Sequence, residues 1–325
     1  MLHTPICDLL GIEWPIIQAG MGPFTSAELV AAVSNAGALG SLSGGGRTAQ
    51  SLREHLARTG ELTDRPFAVN FTLSAVPPDP EAFTIALVAK PRLISFALGD
   101  PDESVKRAHD AGTLVMHMVT TTQQAYRAAE RGVDIIIAQG SESGGFGGPV
   151  AGLVLIPQVV DAVRPVPVIA AGGIADGRGL AAALVLGAQG VNIGTRFLAS
   201  TEAPISERWK QAILAAESQD AIRAEFWNDI FPTSGLAYSV TPRALRSPFI
   251  DEWQNRRNGA KQEVERLRGE VGAAVAQGRL GEIFPFTGQT AGLIKDILPA
   301  AEIVHRLVAE AEETLQQTAH IASIR

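Results

Sequence analysis

Short apolar segments alternate with segments of helical periodicity through the first two thirds of the chain. The apolar segments are four to seven residues long, which is typical of strands buried on both faces of a parallel sheet. An ordered alternation of such strands with helices favours an α/β protein. The predicted strands cover residues 16–20, 38–41, 67–73, 93–98, 113–119, 134–139, 166–171 and 190–194.

Capping residues mark the helix boundaries in the same region. Residues 26–36 form a predicted helix with Ser26 as its N-cap and Gly37 just beyond its end, and residues 122–131 form another that stops before Gly132. A serine N-cap accepts a hydrogen bond from an exposed backbone N–H at the start of a helix. A glycine just beyond the end readily adopts the left-handed conformation that ends the helix. Because eight strands is a number that closes into a barrel, we expect a (β/α)8 TIM barrel.

The strand–helix alternation stops beyond Phe197. Residues 206–218 and 260–277 have the periodicity of amphipathic helices, and the stretch between them is irregular and contains several proline and tryptophan residues. We therefore expect a barrel over residues 1–205 and 286–325, with a small helical insertion, residues 206–285, that follows the eighth strand and caps the barrel mouth. Residues 286–294 are predicted to open a long helix, through about residue 317, that serves as the eighth barrel helix.

Glycines occur where the seventh and eighth predicted strands end. Gly172 and Gly173 follow one strand, and Gly194 precedes Thr195 at the end of the other. Glycine lets backbone N–H groups approach a phosphate, and a following helix N-terminus favours its negative charge. Taken singly, each glycine is better explained as an ordinary loop residue. Since these two loops are the usual phosphate site of a (β/α)8 barrel, the pair predicts a phosphorylated ligand.

Three further segments at strand ends contain candidates for ligand contact. Residues 18–22 (Gln-Ala-Gly-Met-Gly) are small enough for a flat ligand to lie against the backbone, or they form a tight turn. Asn70 is a strand amide that needs a partner when buried, either a ligand or a group inside the barrel. Gln139 precedes a glycine-dense loop, residues 140–148, in which Glu142 is a candidate anchor.

Composition limits the class of protein. The 325 residues carry a net charge of −7, without the basic cluster that nucleic-acid binding requires. The single cysteine, Cys7, allows no disulfide within the chain and precedes the first strand, away from any barrel active site. No signal peptide or membrane-spanning segment is recognised, so we expect a soluble cytoplasmic protein. A homodimer is left open.

Histidine offers one candidate for proton transfer. His117 is the only histidine on a predicted strand, although a lone barrel histidine is more often a structural residue. No group of His, Asp and Glu residues has the spacing of a metal site, so no metal is expected. No Ser/His/Asp arrangement in a plausible order is found either.

An ordered set of motifs resembles one family, the FMN-dependent nitronate monooxygenases, also called 2-nitropropane dioxygenases. The matching segments are residues 15–21, 36–40, 65–70, 139–148, 171–177, 194–197 and 288–292. The family also includes FMN-dependent enoyl-acyl-carrier-protein reductases and NAD(P)H:quinone reductases. By this resemblance, the FMN phosphate lies on Gly172, Gly173, Gly194 and Thr195. The flavin ring lies near Ala19, Gly20, Met21, Asn70 and Gln139, and Gln289 and Gly292 border the site.

One position departs from the family pattern. The loop that follows Gln139 typically contains a histidine that serves as catalytic base or substrate contact, and this chain has Phe146 there. Phenylalanine cannot accept or donate a proton, so general base catalysis from this position is lost, a contribution of typically 10²–10⁴-fold. Phe146 makes the pocket more apolar instead.

Three functions follow from the resemblance and from Phe146. The first is oxidation of a nitronate, a preformed anion that needs no proton removed, with O2 as co-substrate. The second is NAD(P)H-dependent reduction of an enoyl thioester or a quinone, although no separate dinucleotide motif is present. The third is flavin binding without turnover.

Overall fold

The computed structural model describes residues 2–73, 79–232 and 240–323. Its strands are β1 (Ile16–Gln18), β2 (Gly40–Ser43), β3 (Phe67–Thr72), β4 (Leu93–Ala97), β5 (Leu114–Val119), β6 (Ile135–Gln139), β7 (Gly145–Gly147), β8 (Val168–Ala171), β9 (Gly190–Ile193), β10 (Ala221–Arg223) and β11 (Thr241–Leu245). The first ten helices are α1 (Pro5–Leu10), α2 (Ala27–Asn35), α3 (Ala49–Leu62), α4 (Pro80–Val88), α5 (Asp102–Asp110), α6 (Thr122–Glu130), α7 (Gly152–Val163), α8 (Gly177–Val185), α9 (Thr195–Leu198) and α10 (Glu207–Ala215). The others are α11 (Trp227–Ile230), α12 (Pro248–Asn255), α13 (Arg257–Gln262), α14 (Val264–Ala276), α15 (Leu280–Ile283) and α16 (Ala300–Ser323).

Eight parallel strands form one sheet in the order β1-β9-β8-β6-β5-β4-β3-β2. The ring closes between β1 and β2, where Ile17 and Leu39 form a parallel bridge. The Gln18 amide donates to the Leu39 carbonyl and the Leu39 amide to the Ile16 carbonyl, both at 2.9 Å. The predicted (β/α)8 barrel is therefore confirmed.

Alternation along the strands separates two apolar layers. Side chains that point into the barrel, such as Met116 and Ile169, form one buried cluster, and those that point outward pack under the helices. Helix α1 joins the inner cluster through Ile6, Cys7 and Leu10, each at most 1% exposed. Since α1 precedes β1 and lies against the inner cluster, Cys7 is a core residue.

The predicted helix caps are present. The Ser26 hydroxyl accepts from the Leu29 amide at 3.1 Å at the start of α2, and Thr121 caps α6 by accepting from the Gln124 amide at 3.3 Å. Gly37 and Gly132 adopt φ values of 86° and 81° just beyond the two helices. Both lie in the left-handed region that favours glycine, which explains why each helix ends there.

The prediction that residues 286–294 open the last helix is wrong. Residues Gln289–Leu293 form a short 3-10 helix, and α16 begins only at Ala300. The Glu202 carboxylate accepts from the Ala300 amide at 2.9 Å and so caps α16 at that residue, while Leu298 bridges to Ser200 in extended geometry. Helix α16 packs on α8 and α2, so it occupies the predicted place of the eighth barrel helix.

The insertion after the eighth barrel strand contains the two predicted amphipathic helices. Helix α10 corresponds to the first, and the second is divided into α13 and α14 at Glu263, whose φ and ψ of −110° and 20° are not helical. The sequence analysis did not predict that the insertion also carries β10 and β11. These strands form a three-stranded antiparallel sheet with β7, in which β11 is the central strand. Within the described ranges, no helix is both long and apolar enough to cross a bilayer.

Gly40 tests how closely the strands and helices of the barrel pack. A Cβ at Gly40 would lie 2.2 Å from the Val30 carbonyl oxygen, so β2 and α2 must separate to admit it. We expect Gly40→Ala to lower the free energy of unfolding by about 1–3 kcal/mol or more, measured by urea denaturation. Gly60→Ala is the control, because a Cβ on this glycine of α3 meets nothing within 4 Å. It should stabilise the protein by about 0.5–1 kcal/mol, and equal losses in both variants would contradict the account.

Candidate active site

A cavity of about 350 Å³ opens at the carboxyl ends of the barrel strands. This volume falls within the roughly 300–1,000 Å³ typical of small-molecule sites. Nine of the eleven predicted cofactor-binding residues line it: Ala19, Gly20, Met21, Asn70, Gln139, Gly172, Gly173, Gly194 and Thr195. Among the described lining residues, Glu142 is the only one with a charged side chain.

The loops after β8 and β9 meet at one side of the cavity. Gly172 and Gly173 have φ values of 88° and 76°, in the left-handed region. A Cβ on Gly172 would lie 2.3 Å from Ser143 Oγ, so a side chain is excluded there by conformation and by space. A Cβ on Gly194 would meet its nearest atom, Met21 Sδ, only at 3.7 Å. A methyl group at Gly194 would thus make only ordinary van der Waals contacts, and the cavity is open beside this glycine.

The Thr195 hydroxyl completes this side. Thr195 Oγ1 accepts from the Gly288 amide at 2.9 Å, so its own proton remains to be donated. Gly172, Gly173, Gly194 and Thr195 line this side of the cavity, and the described lining residues include no cationic side chain. Concave groups of backbone N–H donors bind anions, and phosphate in particular.

Asn70 has hydrogen-bond partners inside the barrel, and its contact with a ligand stays a prediction. Its Nδ2 donates to the carbonyl and hydroxyl oxygens of Ser95, both at 3.3 Å, and its side chain also lines the cavity. A Cβ on Gly20 would lie 2.3 Å from the Asn70 Cβ, which explains the glycine. The backbone of residues 19–21 and the Asn70 side chain therefore lie against each other and form one continuous surface of the cavity, called the ledge below.

Gln139 holds the loop above the cavity. Its Nε2 donates to the Phe146 carbonyl at 2.7 Å. Phe146 lies opposite Pro242 in the small sheet, and proline has no N–H to donate, so Gln139 supplies a donor from the barrel. Glu142 anchors the same loop, as predicted, because its carboxylate accepts from the Gly152 amide at 3.0 Å, where α7 begins.

Phe146 lines the cavity, at the position where the resemblance leads us to expect a histidine. Its ring centroid lies 6.0 Å from that of Phe286, and Leu280 also lines the cavity. These three side chains form an apolar wall that can neither accept nor donate a proton. Phe146 therefore acts through shape and burial of apolar surface.

His117 lies outside the cavity, which removes it as a candidate for catalysis there. Its neighbours Met116 and Met118 point into the barrel, whereas His117 points outward like Val115 and Val119. Its side chain is 3% exposed, and Nδ1 has no hydrogen-bond partner among the described residues. Burial lowers the pKa of His117 to about 4, against the opposing effects of the Asp100 carboxylate and a hydrogen bond with the Gly99 backbone.

Gln289 and Gly292 are not among the described residues that line the cavity, and their expected place at the border of the site stays a prediction. Their neighbours Gly288 and Thr290 line the cavity. The Gln289 amide donates to the Glu142 carbonyl at 2.9 Å, which fixes the segment against the loop after β6. A Cβ on Gly292 would lie 2.5 Å from Ser218 Oγ, so this glycine allows its segment to pack against the insertion.

Two arginines of the insertion that contact the same loop were missed by sequence reasoning. Arg243 donates to the Ser141 carbonyl and Arg223 to the Gly148 carbonyl. Neither belongs to a recognisable motif, and their strands lie far along the chain from the loop. Only a prediction that β7 pairs with β11 would have indicated that these arginines reach the loop.

The fold and the cavity define a (β/α)8-barrel protein with a ligand site at the carboxyl ends of its strands. Residues 3–310 match the sequence model described as nitronate monooxygenase, and the chain belongs to this family. It is 32% identical to the nitronate monooxygenase of Paraburkholderia phytofirmans, covering 98% of both chains. The structure of FabK from Thermotoga maritima, 34% identical, superimposes with a TM-score of 0.89 over 99% of this chain and 100% of that one.

A further relative from Rhodococcus jostii is 41% identical over 219 residues, which are 67% of this chain. Its name is (3aS,4S,5R,7aS)-5-hydroxy-7a-methyl-1-oxo-octahydro-1H-indene-4-carboxyl-CoA dehydrogenase. The match spans only 62% of the length of that relative. Monooxygenase and dehydrogenase are both names of oxidoreductases.

The burial of His117 predicts a dependence of stability on pH. Its folded pKa, about 4, lies below the ordinary value of 6.5, so the unfolded chain binds more protons between these pH values. The contribution of about 3 kcal/mol is present above pH 6.5 and is lost as the pH falls toward 4. Urea unfolding at several pH values should show that His117→Gln has a flatter slope in this window. An unchanged slope would mean that His117 is not buried in its neutral form.

Proposed function

We propose that this protein is an FMN-dependent oxidoreductase. The observation that carries the proposal is the glycine cradle formed by Gly172, Gly173 and Gly194, which offers N–H donors where a Cβ is excluded or would fill the ligand space. The FMN phosphate fits this cradle together with the Thr195 hydroxyl. The ledge of residues 19–21 with Asn70 suits the flat isoalloxazine ring, with Gln139 at its border. When bound, FMN supplies a redox centre that exchanges electron pairs with small molecules.

The protein's own residues favour a neutral substrate. Burial of an anion is costly unless a cation or several donors compensate it, and the described lining residues include no Lys, Arg or His. Phe146, Phe286 and Leu280 instead exclude water from the part of the cavity that they line. These properties support NAD(P)H-dependent reduction of an enoyl thioester or a quinone. The Rhodococcus relative, whose name contains a carboxyl-CoA, supports a thioester among these substrates.

Oxidation of a nitronate with O2 is the second candidate. Family membership and the full-length match to the Paraburkholderia nitronate monooxygenase favour it. Since a nitronate has already lost its carbon-bound proton, its oxidation does not require the histidine that Phe146 replaces. A neutral nitroalkane does require a base, and the apolar wall supplies none.

One experiment separates these functions. The purified yellow protein is titrated without oxygen, in parallel, with NADH, NADPH and an alkyl nitronate, and flavin absorbance is followed. Bleaching by a nicotinamide nucleotide, followed by reoxidation with a quinone or an enoyl thioester, supports the reductase. Bleaching by the nitronate alone supports the oxidase. A folded protein that contains no flavin, or whose flavin none of these compounds reduces, would contradict the proposal.

Phe146→His tests the missing base. If only the proton acceptor is absent, this variant should increase the kcat/KM for a neutral nitroalkane about 10²-fold or more and change that for the nitronate much less. Phe146→Leu is the matched control, because it keeps an apolar side chain that cannot transfer a proton. Equal changes for both substrates would mean that the pocket is shaped for another compound.

Gly194→Asp tests the phosphate cradle. The carboxylate would stand in the space left open beside Met21 and would repel a phosphate, so we expect FMN to be lost on gel filtration. Gly269→Asp is the control, since a Cβ on this glycine of α14 meets nothing within 4 Å. The flavin content of that variant should remain that of the parent. A Gly194→Asp protein that keeps its flavin would place the phosphate elsewhere.

A further inference from the structure

The loop between β6 and α7 is held at both of its ends by arginines from the insertion. Arg243 donates through Nε and Nη2 to the Ser141 carbonyl, at 3.1 and 2.8 Å. Arg223 donates through Nη1 to the Gly148 carbonyl at 2.7 Å. The residues between these two carbonyls include Gly144, Gly145 and Phe146, all of which line the cavity.

This loop has little intrinsic order. Six of the eight residues from Ser141 to Gly148 are Gly or Ser, four of them Gly, and glycine loses the most conformational entropy when it is fixed. Its base is closed by a hydrogen bond of 2.8 Å from the Ser141 amide to the Val150 carbonyl. The place of Phe146 therefore depends on contacts from outside the loop.

The arrangement of the two arginines, taken alone, destabilises the small sheet. Arg223 and Arg243 are direct partners in the register of β10 and β11, and like charges opposite one another destabilise a sheet. Arg243 is 8% exposed, and burial, together with the charge of Arg223, lowers its pKa, whereas Glu142 acts in the opposite sense. The loop carbonyls that accept from both side chains compensate this repulsion. Sheet stability alone does not explain the pair.

We propose that Arg223 and Arg243 are positioning residues that hold Phe146 over the cavity and so set the affinity for substrate. Arg243 also donates to the Ala221 carbonyl, which ties the loop to β10. Neither arginine lines the cavity, so they act through the loop. The kinetic part of this inference rests on the proposed function, whereas the structural part does not.

The structural part is tested by hydrogen exchange on the purified protein. We expect Arg243→Met and Arg223→Met to accelerate amide exchange in residues 144–147 by about 10- to 100-fold, the effect of losing a charge-assisted hydrogen bond. Arg243→Lys, which keeps the charge but not the forked geometry, should restore part of the protection. Arg257→Met is the matched control, because Arg257 of the same insertion pairs with Glu225 and Asp229 and does not contact the loop.

The kinetic part uses NADH with a neutral para-quinone. Displacement of Phe146 should increase the KM for the quinone by about 10-fold or more with a smaller change in kcat, since apolar contact is lost but the redox centre is not. If Arg243→Met does not fold, Arg223→Met decides the question, because Arg223 is only half-buried.

Parental exchange rates at residues 144–147 in the folded variants would overturn the inference. So would equal acceleration throughout the barrel strands, because it would assign the arginines a general structural role. If the protein turns over no substrate, the proposed function fails while the exchange result still decides the positioning role.

Discussion

The site depends on backbone that must approach a ligand without side chains in between. Gly172 and Gly173 adopt the left-handed conformation, which is strained for a residue with a side chain. At Gly194, the missing Cβ leaves space beside the backbone. The closed barrel fixes the separation of these loops, since β8 and β9 are adjacent and paired in register. This geometry suits the proposed binding of an anion by backbone N–H groups whose arrangement is established when the barrel folds.

The other side of the cavity is built differently. Its wall comes from the glycine-rich loop after β6. The Gln139 side chain of the barrel holds this loop by a hydrogen bond, and β11 of the insertion holds it by pairing with β7. The insertion thus supplies Leu280 to the apolar wall, Phe286 directly follows the insertion, and Pro242 of the insertion lies opposite Phe146 in the small sheet. Cofactor binding is in this view a property of the barrel, and substrate choice is a property of the joint between the barrel and the insertion.

Sequence reasoning was most successful where local patterns decide structure. Strand periodicity, caps such as Ser26 and paired glycines predicted the barrel, because these depend on neighbours in the chain, and the family resemblance named eleven residues of which nine line the cavity. It failed where distant segments decide. The start of α16 is set by the Glu202 carboxylate about a hundred residues away, and the outward direction of His117 is set by the strand register. The small sheet joins strands from three separate regions, so no local pattern predicts it.

The most direct test of the central claim is to compare FMN with riboflavin, which lacks the phosphate. Calorimetric titration of the flavin-free protein should show that FMN binds at least about 100-fold more tightly, the contribution expected from a few hydrogen bonds to a charged group. Equal affinities would show that the glycine loops do not hold a phosphate and would contradict the account of this site.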